Sequence, residues 1–289
     1  MRRLFGYWLL LFALSVAFPV TANTLKYIPP ADADDPQKAY YVMLLETLCA
    51  HSNQLGTPCE VVPVDVEMFQ QRQLRSLDEG LLDVMWTVTT KERESRFLPI
   101  RIPLTKGLIG YRIAVFNNVV ANSFAKNGTL AAIKKLKHVQ GHDWPDTQIL
   151  KHNGFEVAST SWYSSMYKSL DAQHYDVILR GVFEINTEFN MYATDNVSID
   201  KNHAFYYPSA IYFFVSQKKP QLAELITQSL MSLKANGEFD KILFEFTPHS
   251  NAVATLELEN RRVHQLENPL LPSKTPLENS EFWFQDSPR

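Results

Sequence analysis

DVMWTVTTKERESRFLPIRIPLTKGLIGYRIAV, residues 83–115, is the stretch on which the fold turns. It opens as an apolar strand, passes through a polar turn and ends in a second extended run. Thr87, Thr89, Thr90 and Thr105, the guanidinium of Arg93 and the indole of Trp86 lie between segments apolar enough to be sheet core. Polar side chains gathered where a buried strand ends are the way an open α/β sheet builds a site for a small molecule.

Outward from that stretch, strands and helices alternate. Residues 25–28 read as a strand, and apolar positions Tyr41, Leu44, Leu45 and Leu48 recur at helical spacing over 38–51. A strand over 60–64 and a helix over 67–79, stopped by Gly80, lead back to the strand at 83–85. Downstream, helices at 130–136 and from Pro145 to residue 152 flank an extended segment at 137–140. A strand at 156–159, a helix at 163–170, a strand at 176–179 and a helix at 183–191 follow. IYFFV, residues 211–215, is a continuous apolar run suited to a strand buried on both faces, and helices at 222–233 and 238–246 come after it. The alternation predicts an α/β fold with a largely parallel sheet. Residues 253–263 are expected to be helical, and the Pro-rich tail ENPLLPSKTPLENSEFWF to lie against the body, because Leu270, Leu271, Leu277, Phe282, Trp283 and Phe284 would be costly to leave in water.

Composition narrows the function classes. The chain has 289 residues, 45% of them hydrophobic and 20% charged, with a net charge of −3, so it is an ordered protein without a basic field for nucleic acid. Arg2 and Arg3 precede an apolar run over 4–20 and the small residues Thr21 and Ala22. This pattern predicts a signal peptide over 1–22 and a periplasmic protein; an uncleaved anchor helix is the alternative. The two cysteines, Cys49 and Cys59, could close a short loop after export, or be two separately buried thiols. No cofactor or metal is expected: the histidines 138, 142 and 152 lack a ligand spacing, and no HExxH or serine-nucleophile motif points to an enzyme.

LLDVMWTVTTKERESRFLPIRIPL, HVQGHDWPDTQIL and ANGEFDKILFEF, in that order, resemble the extracellular solute-binding proteins of family 3, the type II periplasmic binding proteins. YDVILRGVFEI and NPLLPSKTPL are closest to uncharacterised exported members. The resemblance implies a two-lobed fold with a ligand cleft between lobes joined by two crossing strands, near residues 111–116 and 211–215. Lobe 1 would comprise 23–115 and 211–246, lobe 2 would comprise 116–210, and 247–289 would be a C-terminal helix and Pro-rich arm packed on the body. It further implies a monomeric receptor for a small-molecule ligand, with an inner-membrane permease as a candidate partner.

In amino-acid binders of that family an arginine after the Thr-rich turn clamps the ligand carboxylate, and Arg93 matches it. A planar guanidinium can give two parallel charge-assisted bonds there. Thr89 and Thr90 could add hydroxyl donors or serve only the turn and helix cap, and Trp86 could stack on a ligand or belong to the core. Where the family places an acid for the ligand ammonium, this chain has Arg180 and Gly181, and Val88 stands where many members have serine. Arg180 could face an anion, with Glu184 replacing the missing acid, or the two could pair with each other. The Gly turn and helix start of GHDWPDT offers an anion site lined by His142 and Trp144, or a plain connecting loop. These features predict a receptor for a carboxylate-bearing ligand; the alternative is a degenerate relative acting as a sensor or protein-interaction module.

Overall fold

The computed structural model describes residues 22–29, 36–66, 68, 70–124, 128–160, 163–257 and 260–285. The expected signal peptide, apart from Ala22, lies outside them. In chain order the first elements are β1 (Asn23–Tyr27), α1 (Pro36–Gln54), β2 (Cys59–Pro63), α2 (Gln70–Glu79), β3 (Val84–Val88), α3 (Lys91–Arg96) and β4 (Phe97–Ile100). Next come β5 (Tyr111–Asn117), α4 (Asn118–Phe124), α5 (Leu130–Lys134), β6 (His138–Gly141), α6 (Pro145–His152), β7 (Val157–Thr160), α7 (Tyr163–Asp171), β8 (Val177–Gly181), α8 (Ile185–Tyr192), β9 (Val197–Ile199) and β10 (His203–Tyr206). The chain ends with β11 (Ile211–Ser216), α9 (Pro220–Ala235), α10 (Glu238–Glu245), α11 (Thr247–Leu256) and β12 (Arg262–Gln265).

Hydrophobic spacing accounts for the packing. Tyr40, Leu44 and Leu48 of α1 recur every four residues and are fully buried. Every residue of β11 is buried, as the unbroken apolar run requires, because β11 is the middle strand of a sheet ordered β3-β11-β4. A second sheet has the order β12-β10-β5-β8-β6-β7, with β9 also pairing β5, and β1 pairs with β2 alone. The fold is α/β and two-lobed, one lobe around the β3-β11-β4 sheet and the other around the β5 sheet.

Three local expectations are corrected. The sheets are not largely parallel: β11 runs antiparallel to both β3 and β4, and β5 is antiparallel to β8, β9 and β10. Short apolar strands carry no mark of direction, and direction here follows from the two passages between lobes. Those passages meet earlier than expected. Tyr111 and Arg112 pair with Tyr206 and Phe205, and Tyr207 N–H donates to Gly110 O at 3.3 Å, so residues 111–116 and 211–215 each belong to the sheet of one lobe. Finally, the helix expected over 253–263 begins at Thr247 and ends at Leu256, and Arg262–Gln265 is the strand β12 instead.

Cys49 and Cys59 form a disulfide with Cα atoms 5.1 Å apart, joining α1 to β2. Replacing both with alanine is expected to lower unfolding stability by about 2–3 kcal/mol, read as a lower urea midpoint with an unchanged native far-UV spectrum. Two buried histidines predict an acid limit. Burial lowers the pKa of His138 to about 4 against the opposing bond to Ile133 O, and burial likewise lowers that of His249 to about 4 despite its bond to Leu243 O. The unfolded chain therefore binds more protons than the native one between pH 6.5 and 4. Stability is fully present above that range and falls as pH drops through it, by on the order of 3 kcal/mol for each histidine. Chemical denaturation from pH 7 to 4 should show this slope, and His138→Asn should flatten it.

Candidate functional site

A cavity of about 290 Å³ lies between the lobes, and six charged side chains line it: Arg93, Arg112, Arg180, Asp146, Glu184 and Glu188. The first lobe contributes Arg93. Thr90 lies in extended backbone and caps α3, its hydroxyl accepting from Arg93 N–H at 3.1 Å. This cap fixes the helix start and turns the Arg93 side chain back under β3. There Nη1 donates to Thr87 Oγ1 at 2.8 Å and Val88 O at 2.6 Å, and Nη2 donates to Gln70 Oε1 at 2.5 Å. Neutral oxygens hold the guanidinium, so burial lowers its pKa to about 10, with Glu92, Asp143 and Asp146 opposing from a distance. It is still charged at neutral pH. Two of its five N–H donors remain among the described residues, the number a carboxylate requires.

The second lobe contributes two arginines with resident acids. Arg112, at the start of β5, places Nη2 2.8 Å from Asp146 Oδ1 and Nη1 3.2 Å from Glu184 Oε2, and its Nε donates to Tyr207 Oη at 2.8 Å. Tyr207 in turn donates to Asp146. Burial disfavours the Arg112 charge, but Asp146, Tyr207 and Glu184 outweigh it against opposition from Arg180, and the pKa moves up. Burial also pushes the Tyr207 hydroxyl well up. Arg180, near the end of β8, donates from Nε and Nη2 to the two oxygens of Glu188 at 2.6 and 2.5 Å. The same Nη2 lies 3.1 Å from Glu184 Oε2, and the guanidinium sits 4.2 Å from the centre of the Trp144 ring. Gly181 leaves room for this network: a Cβ there would lie 2.7 Å from Glu184 Oε2 and 2.9 Å from Arg112 Nη1.

The other residues singled out from the sequence fall in different places. Trp86 lines the cavity and stacks on Tyr41 at 5.4 Å and 21°. Thr89 donates to Glu94 Oε1 at 2.8 Å, and neither it nor the capping Thr90 lines the cavity that holds the six charges. Thr105 is fully buried away from it. Trp144 does line it, whereas the exposed His142 lines a neighbouring depression of about 520 Å³ shared with Thr90, Arg93 and Trp144. At the α6 N-terminus Pro145 removes one N–H donor, and Asp146 sets a resident carboxylate beside Arg112 in place of a free anion.

Glu188 rather than Glu184 gives Arg180 its two-pronged partner, and sequence reasoning passed over Glu188, Arg112, Tyr207 and Gln70. Only Arg112 had left a trace, as the one charge in the apolar run GYRIAVF. Among the described residues, no group of three His, Cys, Asp or Glu is placed to hold a metal, and no helix is long and apolar enough to cross a membrane.

No protein-family profile and no curated protein matches the sequence. Solved structures do match in fold. A probable amino-acid ABC transporter extracellular-binding protein from Bacillus subtilis superposes with a TM-score of 0.59 at 17% identity, covering 80% of this chain and 100% of its own. An arginine-specific periplasmic binding protein from Salmonella typhimurium gives 0.57 at 16%, covering 78% and 99%. An ancestral arginine-binding protein bound to arginine gives 0.56 at 19%, covering 78% and 98%. At these identities the likeness establishes the two-lobed binding-protein fold.

A double-mutant cycle tests the Arg180–Glu188 pair. Arg180→Met and Glu188→Leu alone should each cost roughly 3 kcal/mol in urea denaturation, since each removes one side of a buried two-pronged pair, whereas the two together should recover most of that loss. Losses in the two single variants that sum to the loss in the double variant would show that the pair is not coupled.

Proposed function

We propose that this chain is a periplasmic solute-binding receptor whose lobes close over a small carboxylate-bearing ligand, with Arg93 as the carboxylate clamp. The observation that carries the reading is the state of Arg93: charged, buried, lining an interlobe cavity, held by neutral oxygens and, among the described residues, left with two donors. Arg112 and Arg180 already face carboxylates, so an added anion gains most from Arg93. Three arginines against three acids favour a zwitterion over a dianion. An ammonium group on the ligand would find its partners in Glu184 and Glu188, which take the place of the acid that family members carry at the strand end. Trp86 supplies an apolar wall. The arginine-binding structural neighbours bind a ligand of this kind. The receptor would act as a monomer, with an inner-membrane permease as its downstream partner.

Thermal-shift screening of amino acids and other small carboxylates, followed by calorimetry, tests the assignment. A ligand at a hundred times its Kd adds about 2.7 kcal/mol of stability and a matching rise in Tm. Arg93→Ala should abolish the shift, and Arg93→Lys should weaken it at least tenfold by removing the fork. Arg101→Ala, outside the cavity, should leave it unchanged. A folded protein that no carboxylate stabilises, or an Arg93→Ala variant with native affinity, would refute the reading. The first of these outcomes would favour the sensor or protein-interaction alternative.

A further inference from the structure

The C-terminal segment does more than cover apolar surface. β12 adds to the second lobe in parallel with β10, and Leu266 continues the pairing by donating its N–H to Tyr206 O at 2.8 Å. Leu266 is buried in the core of that lobe with Phe116, Ile149 and Phe205. Glu267 is then fixed to the C-terminal end of α6: its N–H donates to Asn153 Oδ1 at 3.0 Å, and its carbonyl accepts from Asn153 Nδ2 at 2.8 Å. One residue on, Asn268 Nδ2 donates to Pro208 O at 2.8 Å, on one of the two passages between lobes.

The chain then reaches the other lobe at once. Leu270 O accepts from Lys91 N–H at 3.0 Å, and Lys91 Nζ donates to Pro269 O at 2.7 Å. Lys91 is the first residue of α3, the helix that carries Arg93, so the tail satisfies a backbone donor that a helix start leaves unpaired. Beyond this, the segment stays on the first lobe. Trp283 is buried in its core with Leu77, Met85 and Tyr212, its ring lying where Gly107 lacks a side chain. Phe284 N–H donates to Lys106 O at 2.7 Å, and Lys106 and Gly107 both have positive φ on the other interlobe passage.

We infer that residues 262–284 form a strap, a further connection between the lobes that limits how far the cleft can open. The limit follows from chain length. Only three Cα steps separate Glu267, held to α6, from Leu270, held to α3, and at full extension they span about 11 Å. No arrangement that keeps both attachments can separate the α6 end from the α3 start by more than this span plus the lengths of the two attachments themselves. The strap runs beside the site, since Leu270 lines the neighbouring depression together with Arg93 and Trp144. The strap therefore holds the Arg93 helix within reach of the Arg112 and Arg180 wall before any ligand arrives. This goes beyond the proposed receptor role and does not depend on it, because the constraint exists in the empty protein.

Spin labels at Glu92→Cys and Gln148→Cys, both exposed and lining the neighbouring depression from α3 and α6, report the opening by pulsed dipolar spectroscopy on the full chain without ligand. The native cysteines are paired and stay unlabelled. With the strap intact the distance distribution should be narrow. Two variants release it. Inserting four glycines between Asn268 and Pro269 adds about 13 Å of reach. Lys91→Pro removes the N–H and the ammonium that hold Leu270 and Pro269, and it places proline at the first helical position, where the helix loses nothing of its own. Both should lengthen and broaden the distribution. Lys91→Pro keeps chain length and core intact, so it remains informative if the insertion fails to fold. An unchanged narrow distribution in folded Lys91→Pro, or one as broad in the native protein as in the variants, would overturn the strap.

Discussion

An arginine keeps its proton at neutral pH, so each buried one must be matched to oxygen. Three line this cleft, and the surrounding structure is arranged to meet that demand. Arg112 and Arg180 are matched by carboxylates, with a tyrosine completing the first and an indole face the second. Arg93 is matched by a threonine hydroxyl, a backbone carbonyl and a side-chain amide, none of which carries charge. The opposite directions of the pKa shifts at Arg93 and Arg112 express this difference. Among the described residues it separates Arg93, held by neutral oxygens, from the two arginines that face carboxylates.

The backbone supplies these positions through its ends and crossings. Arg93 depends on the Thr90 cap, which fixes where α3 begins, and on the register of β3 against β11, which places Thr87 and Val88 above it. Arg112 and Gly181 are direct partners across the β5–β8 ladder, which brings Arg112 beside the Arg180–Glu184 turn. Arg112 lies just past the point where the chain enters the second lobe, and Tyr207 just before the point where it leaves. Their hydrogen bond therefore ties the hinge to the charged wall of the cleft. A tail that pairs with β10 and then caps α3 acts on the same geometry from outside.

Local pattern carried much of the architecture. The unbroken run IYFFV read as a strand covered on both faces, the Tyr41, Leu44, Leu45 and Leu48 spacing as a helix with one inward side, and the turn after β3 was visible from its threonines and Arg93. Cys49 and Cys59 are close enough in the chain for their pairing to be anticipated. Leu277, by contrast, was expected against the body and is exposed, because it sits at a bend of the tail between two anchors.

By itself, then, the sequence determined an α/β chain with a polar turn at a strand end, since periodicity, caps and runs act within a few residues. Tertiary structure alone decided strand direction, the place of the interlobe crossing, the addition of Glu188 to Glu184 as a partner of Arg180, and the conversion of residues 262–265 into a strand. Each of these is a pairing between groups brought together by the path of the whole chain, as β10 meets β12 from about sixty residues away. No local propensity encodes such a meeting. It arises when burying the cores of both lobes leaves those edges and charges facing one another.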